Sequence, residues 1–248
     1  QEAAPLLTKF QNDIRLNESL FERIRYVHEN EDRSKLSEEQ ITLLEKEFKG
    51  FVRNGALLDN SSKEKLRTLD TQLAKLSLTF GEHVLSDTQD FILHIENESQ
   101  LKGLPSSAIE MAKAVAEQKQ KKGWVFTLDY PSYVPFMTYA EDRELRKKMS
   151  LAFGKRGFQN NPNNNLNTIL EIVKLRHERA TLLGYESHAA FVLEERMAKT
   201  PAQVRNFLKN LLQKAKPAAI TEFKNLEKFA KKLDQINKLE KWDALYYS

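Results

Sequence analysis

Residues 61–85 read SSKEKLRTLDTQLAKLSLTFGEHVL, and within them Leu66, Leu69, Leu73, Leu76, Phe80 and Val84 recur at spacings of three and four. That period puts the apolar side chains on one side of an α-helix, whereas a half-buried strand would alternate every second residue. No Pro falls in the stretch and no Gly before Gly81, so nothing stops the helix for about five turns. A stripe of that length needs a partner along its side, and the segment before it offers one. Ser37-Glu38-Glu39-Gln40 has the form of a capping box, with Ser37 as N-cap and Gln40 at N3. Ile41, Leu44, Phe48 and Phe51 follow at helical spacing, and Gly55 permits a stop. The expectation is two long helices packed lengthwise.

The same grammar repeats outward. Asn17 is a fitting N-cap for a short helix carrying Leu20, Phe21, Ile24 and Val27. Pro105 to Lys122 reads as a helix with Pro in its first turn and Gly123 after its end. Helices are also expected over 136–140, 142–153, 166–183 (ended by Gly184) and 187–196. Thr200-Pro201 opens the last long one, whose stripe is Val204, Leu208, Leu211, Ala215, Ala219, Phe223 and Leu226, with Pro217 inside it as a kink. Phe91–Ile95 and Trp124–Leu128 are short and β-rich, and are expected to pair as a small accessory sheet. Tyr130–Pro135 reads as a stiff aromatic connector, Asn160–Asn167 as a loop, and Trp242–Ser248 as the opening of a further helix. The fold expected is all-α: mainly long antiparallel helices with one small pair of short strands, forming a single helical region over residues 1–248.

Composition agrees. With 40% apolar and 30% charged residues, and only 8 Gly and 7 Pro in 248, the chain can build a core and has few turns. The formal net charge is +4, spread over 39 basic and 35 acidic residues that alternate along helix faces. The basic runs Lys119-Gln120-Lys121-Lys122 and Lys231-Lys232 sit at predicted helix ends, where cations complement the dipole. They are not gathered with aromatics into a nucleic-acid surface, so no nucleic-acid partner is expected. No apolar run reaches the ~18–20 residues a bilayer span needs, and no membrane association is expected. The absence of Cys excludes disulfides and thiolate chemistry.

Chemistry is sparse. His177-Glu178-Arg179-Ala180-Thr181 is the nearest approach to His-Glu-x-x-His, in which two imidazoles one helical turn apart bind Zn²⁺ and the Glu activates water. Thr181 stands where the second His is needed. His177 reads instead as a packed core residue beside a stripe through Ile169, Val173 and Ala180. His28, His83, His94 and His188 have no second His at ligand spacing, and no phosphate loop or nucleophile elbow occurs. No residue is assigned as catalytic or metal-binding, and the substrate-contacting residues are left unassigned. Tyr130–Tyr139 reads as a buried junction, with lining of a peptide cleft as the functional alternative.

Several stretches together resemble the thimet-oligopeptidase and peptidyl-dipeptidase family of zinc metallopeptidases. They are Phe51-Val52-Arg53-Asn54-Gly55-Ala56-Leu57-Leu58, Leu76–Glu82, Thr127-Leu128-Asp129-Tyr130-Pro131-Ser132-Tyr133, Thr138–Arg146, Leu175–Tyr185, Met197–Pro201 and Trp242–Ser248. Within the family the peptidyl-dipeptidase branch looks nearest, with oligopeptidase A beside it. The resemblance implies one lobe of a two-lobed peptidase around a channel for short peptides. It places the zinc site, and a catalytic domain, after residue 248, and the family's opening helices before Gln1. It implies a non-catalytic channel-wall lobe: inactive alone, with no zinc of its own, in a parent that binds zinc and releases C-terminal dipeptides. The partners implied are short peptides and the missing catalytic domain. An apolar face left for that domain would also permit a dimer of the fragment. A cytoplasmic setting is favoured over a periplasmic one. The alternative is a stand-alone helical binding or adaptor module that lost the chemistry.

Overall fold

The computed structural model describes residues 3–248. Its elements in chain order are α1 (Ala3–Arg15), α2 (Glu18–Asn30), a 3-10 turn (Arg33–Lys35), α3 (Glu38–Arg53), α4 (Asn60–Asp90), β1 (Leu93–Ile95), a second 3-10 turn (Glu98–Leu101), α5 (Ser106–Gln118), β2 (Trp124–Phe126), α6 (Tyr130–Tyr139), α7 (Arg143–Gly154), α8 (Leu166–Leu182), α9 (His188–Leu193), α10 (Pro201–Asp234) and α11 (Ala244–Tyr247). The fold is all-α apart from the strand pair. Contacts divide the chain into two units, each discontinuous: residues 1–80 with 166–205, and residues 81–165 with 206–248.

In the first unit the caps form as the sequence dictates. Asn17 Oδ1 accepts from the Leu20 N–H at 2.9 Å. Ser37 Oγ accepts from the Gln40 N–H at 3.2 Å while Gln40 Oε1 accepts from the Ser37 N–H at 2.9 Å, so both halves of the capping box close. Ser37→Ala is expected to cost about 1 kcal/mol, measured by urea unfolding, because the Gln40 N–H loses its acceptor. Helix α3 pairs with α2 rather than lengthwise with α4. The reason lies in the aromatics: Phe21 stacks on Phe48 and Phe51 with ring centroids 5.8 and 6.1 Å apart, and these rings bury the α2–α3 seam. Leu66 and Leu69 of α4 are buried, Leu73, Leu76 and Val84 are partly buried, and Phe80 is half-exposed, so the α4 stripe is fully covered only at its start. At Gly55 φ is +92°, and a Cβ would sit 2.7 Å from Leu66 Cδ2, which explains why the turn after α3 carries Gly.

In the second unit β1 and β2 pair antiparallel, Leu93 opposite Phe126 and Ile95 opposite Trp124. Val125 and Phe126 are both buried, so neither face of β2 is left to solvent. Ala108, Ala112 and Ala116 line the buried side of α5, and their small size lets the helix approach the strand. Phe136 meets Phe126 edge-on at 4.7 Å, and the surrounding core takes in Leu101, Leu128, Met137 and Met149. Two expectations are corrected here. Helix α5 stops at Gln118, and Gln120 has φ +54°, so the Lys119–Lys122 run lies in the turn that follows rather than in the last helical turn. Helix α6 starts at Tyr130, not Phe136. Pro131 occupies its first turn, where its missing N–H has no helical partner anyway, and Pro135 removes only the bond that would reach the Pro131 carbonyl.

Candidate functional site

The joint between β2 and α6 is built by Thr127 to Tyr133. The Thr127 N–H donates to Ser132 Oγ at 3.0 Å, and the Thr127 hydroxyl donates to Asp129 Oδ2 at 2.9 Å. The Asp129 carbonyl accepts from the N–H groups of Ser132 and Tyr133 at 2.9 and 2.8 Å, which opens the helix. Leu128 is buried, and Tyr133 stacks on Phe153 at 4.2 Å. Beside this joint lies a groove of about 500 Å³, walled by Met111 and Val115 of α5, Val125 of β2 and Pro131 of α6, with Gln89, Gln118, Lys119 and Asp129 as polar groups. Thr127 and Ser132 line it as well, and this mixed apolar and polar lining suits the binding of an extended peptide or small molecule. The aromatic segment therefore divides. Tyr133, Phe136 and Met137 are core, while Tyr130, Val134 and Tyr139 remain exposed.

The structure places His177 on the exposed surface of α8, with Glu178 one turn from Lys174 at 4.0 Å. The expected packed position is corrected: Leu175 and Ala180 are the buried residues of α8, whereas Ile169 and Val173 are exposed, so the covered face is rotated away from His177. His177→Ala is expected to shift unfolding free energy by less than about 0.5 kcal/mol. A zinc titration of wild type and variant should superimpose.

The other imidazoles are engaged separately. His28 stacks on Phe48 at 3.9 Å and faces Glu45 at 3.2 Å. His83 Nδ1 meets Asn165 Oδ1 at 2.8 Å, and His94 Nε2 meets the Lys122 carbonyl at 2.6 Å. Burial, then the charges of Arg176 and Arg179, hold the His188 pKa below its ordinary value. Among the described residues no three His, Asp or Glu side chains are grouped as they would be around a metal ion.

Two charged clusters dominate the second unit. Asp243 is fully buried and takes hydrogen bonds from Arg143 Nε at 2.9 Å, Arg143 Nη2 at 2.7 Å and Arg146 Nη2 at 3.2 Å. The Glu240 N–H adds another at 2.9 Å. Arg146, 1% exposed, spends its remaining donors on the carbonyls of Ala140, Glu141 and Trp242 and lies 3.9 Å over the Tyr246 ring. Burial pushes the Asp243 carboxyl up, but Arg143, the Glu240 amide and Arg146 outweigh it and hold the pKa below the usual carboxylate range. Next to it, burial and then Asp234 push the Tyr247 hydroxyl up, and that hydroxyl donates to Asp234 at 2.6 Å.

In the second cluster Asp87 accepts from the Gly157 N–H at 2.7 Å and from the side-chain amides of Gln159, Asn161 and Asn163 at 3.3, 2.9 and 2.8 Å. Burial raises its pKa, yet these donors win and leave it lowered. One carboxylate thus organises the Asn-rich loop. Neither cluster was singled out from sequence.

The arrangement matches known proteins along its whole length. The model for Peptidase family M3 matches residues 136–248, which contain the end of α6, all of α7 and the Asp243 cluster. Oligopeptidase A of Salmonella typhimurium is 33% identical over the full chain, and that of Escherichia coli 32%. Dipeptidyl carboxypeptidase of Escherichia coli is 30% identical over 98% of the chain. The chain spans 37% of the length of the oligopeptidase A relatives and 36% of the dipeptidyl carboxypeptidase. The match of residues 136–248 to Peptidase family M3 and the similarity from end to end to oligopeptidase A relatives agree with the resemblance to the thimet-oligopeptidase family, to part of whose members this chain is similar.

Proposed function

We propose that this chain forms the non-catalytic wall of a substrate channel in a zinc metallopeptidase that hydrolyses short peptides. The observation that carries the reading is 33% identity over the whole chain to an oligopeptidase A of which the chain spans only 37%. The described residues present a groove of about 500 Å³ with a mixed apolar and polar lining, which supports peptide binding. The His-Glu-x-x-His motif and its zinc belong, in this reading, to the part of a family-length protein outside these residues, where the metal would activate water. This chain's own part is to bind and orient peptide.

Relatives named oligopeptidase A, at 32–33% identity, and dipeptidyl carboxypeptidase, at 30%, both support peptide hydrolysis, with release of C-terminal dipeptides as the first reading and internal cleavage of oligopeptides as the second. Both are tested by one assay. The purified 248-residue chain is incubated with zinc and quenched fluorescent peptides beside the product of the complete reading frame. The chain alone should show no hydrolysis above background, and the complete product should show hydrolysis abolished by chelator. Comparable rates from the chain alone would overturn the non-catalytic assignment. Mass spectrometry of the products separates internal cuts from dipeptides.

A further inference from the structure

Every residue of α10 from Arg205 to Asn225 is exposed. That stretch nevertheless carries Phe207, Leu208, Leu211, Leu212, Ile220 and Phe223, each 44–66% exposed. In the whole 34-residue helix Ala230 is the one buried residue, and it packs with Leu239 and Tyr247 near the C-terminal end. In proteins most of a helix's stability comes from tertiary packing of its apolar side rather than from the helix alone. Pro217, in the middle, weakens this one further, because it has no N–H for the preceding turn. A contiguous apolar face on such a helix marks a surface that something covers.

The charge pattern narrows what that is. Between Arg205 and Asn225 the cations are Arg205, Lys209, Lys214, Lys216 and Lys224, against the single acid Glu222. A second copy of the same helix would set this basic rim against itself, so the rim selects an acidic partner. The chain spans 37% of the length of its oligopeptidase relatives, so a family-length protein holds most of its sequence elsewhere. We infer that the α10 face from Phe207 to Phe223 is the seat of the remainder of the same polypeptide, which presents an apolar strip edged by Asp and Glu. This rests on reading the chain as one part of a longer M3 peptidase, and it names the surface and chemistry by which the parts join.

Hydrogen exchange on the 248-residue chain and on the product of the complete reading frame tests it. Amides of residues 208–223 should exchange roughly a hundredfold more slowly in the longer product. Leu211→Glu with Phe223→Glu should abolish that protection while leaving the melting of the 248-residue chain unchanged, since both positions are exposed. Lys209→Glu with Lys216→Glu should reduce the protection about tenfold and remove its salt dependence. Fast exchange in the longer product overturns the inference, as does a reading frame that encodes nothing further. Protection of the 248-residue chain that tracks a dimer mass in sedimentation assigns the face to a second copy instead. Protection of that chain gained on phosphatidylserine vesicles, with none in the longer product, assigns it to a membrane surface. Charge reversal without effect overturns the acidic partner. Peptide hydrolysis measured on the same samples separates the readings: activity without protection removes the docking face and leaves the peptidase, and protection without activity does the reverse.

Discussion

Asp243→Ala is expected to destabilise the second unit by about 3–5 kcal/mol, because it strands Arg146 as a buried cation with no countercharge. The size of the effect follows from where the partners lie. Asp243 is fully buried and Arg146 is 1% exposed, so water cannot replace the lost carboxylate. The carbonyls of Ala140, Glu141 and Trp242 still accept from the guanidinium but carry no net charge. Urea unfolding followed by circular dichroism reads the loss. Asp243→Leu combined with Arg146→Met should recover part of it, since an apolar pair of similar volume removes the stranded charge; no recovery would mean the damage is steric.

The pH dependence has a definite sign. The folded-state pKa of Asp243 is depressed, so as pH falls the unfolded chain takes up the proton first. The stability from this carboxylate is complete above the unfolded value of about 3.9 and is lost as pH drops through the lower folded-state value. The gap between wild type and Asp243→Ala should therefore be constant from about pH 5 to 8 and close below about pH 4.

Asp87→Ala should cost about 2–4 kcal/mol and open the Asn-rich loop to protease. Its carboxylate gathers one main-chain N–H and three side-chain amides within 3.3 Å, and all four lose this acceptor together. Asp87→Asn is expected to be nearly as damaging, because one oxygen becomes a donor facing other donors. Limited proteolysis between residues 159 and 164, followed by mass spectrometry, distinguishes a local opening from global loss. Asp87 shares the sign of Asp243: its pKa is lowered, so its contribution also disappears only in acid.

The helices were legible because their signals are local. The Ser37–Gln40 box and the Thr200-Pro201 start each need one turn of sequence to read, the stripe from Leu66 needs about five consecutive turns, and the structure has helix at all three. The strand pair was legible from β-branched and aromatic residues bounded by turn formers. What a helix packs against was less so. Nothing in the spacing of Leu66 to Val84 says that α3 turns to α2, because the choice rests on three Phe rings meeting across a loop. The rotation of α8 was misjudged for a similar reason. Ile169 and Val173 are as apolar as Leu175, and burial was decided by neighbours remote in sequence, among them Asp70, which holds Arg179 at 2.6 Å. The ion clusters left a faint trace: Arg143 and Arg146 share one side of a helix, and Asp243 sits among aromatics, an unusual place for an unpaired carboxylate. Sequence could pose that question, but only the fold pairs residues 97 and 100 positions apart.

That separation matters while the chain is being made. Translation proceeds at roughly 5–20 residues per second, so about 5–20 s pass between the emergence of Arg143 and that of Asp243. During this interval the intervening α8, α9 and α10 are synthesised, and Arg146 has no anion to settle against. The core around Phe126 and Phe136 can assemble early, from residues 91–153, but its last polar bonds must wait. Nascent chains stalled before Trp242 should therefore hold this half in an unfinished, chaperone-sensitive form, and release past Ser248 should lock it.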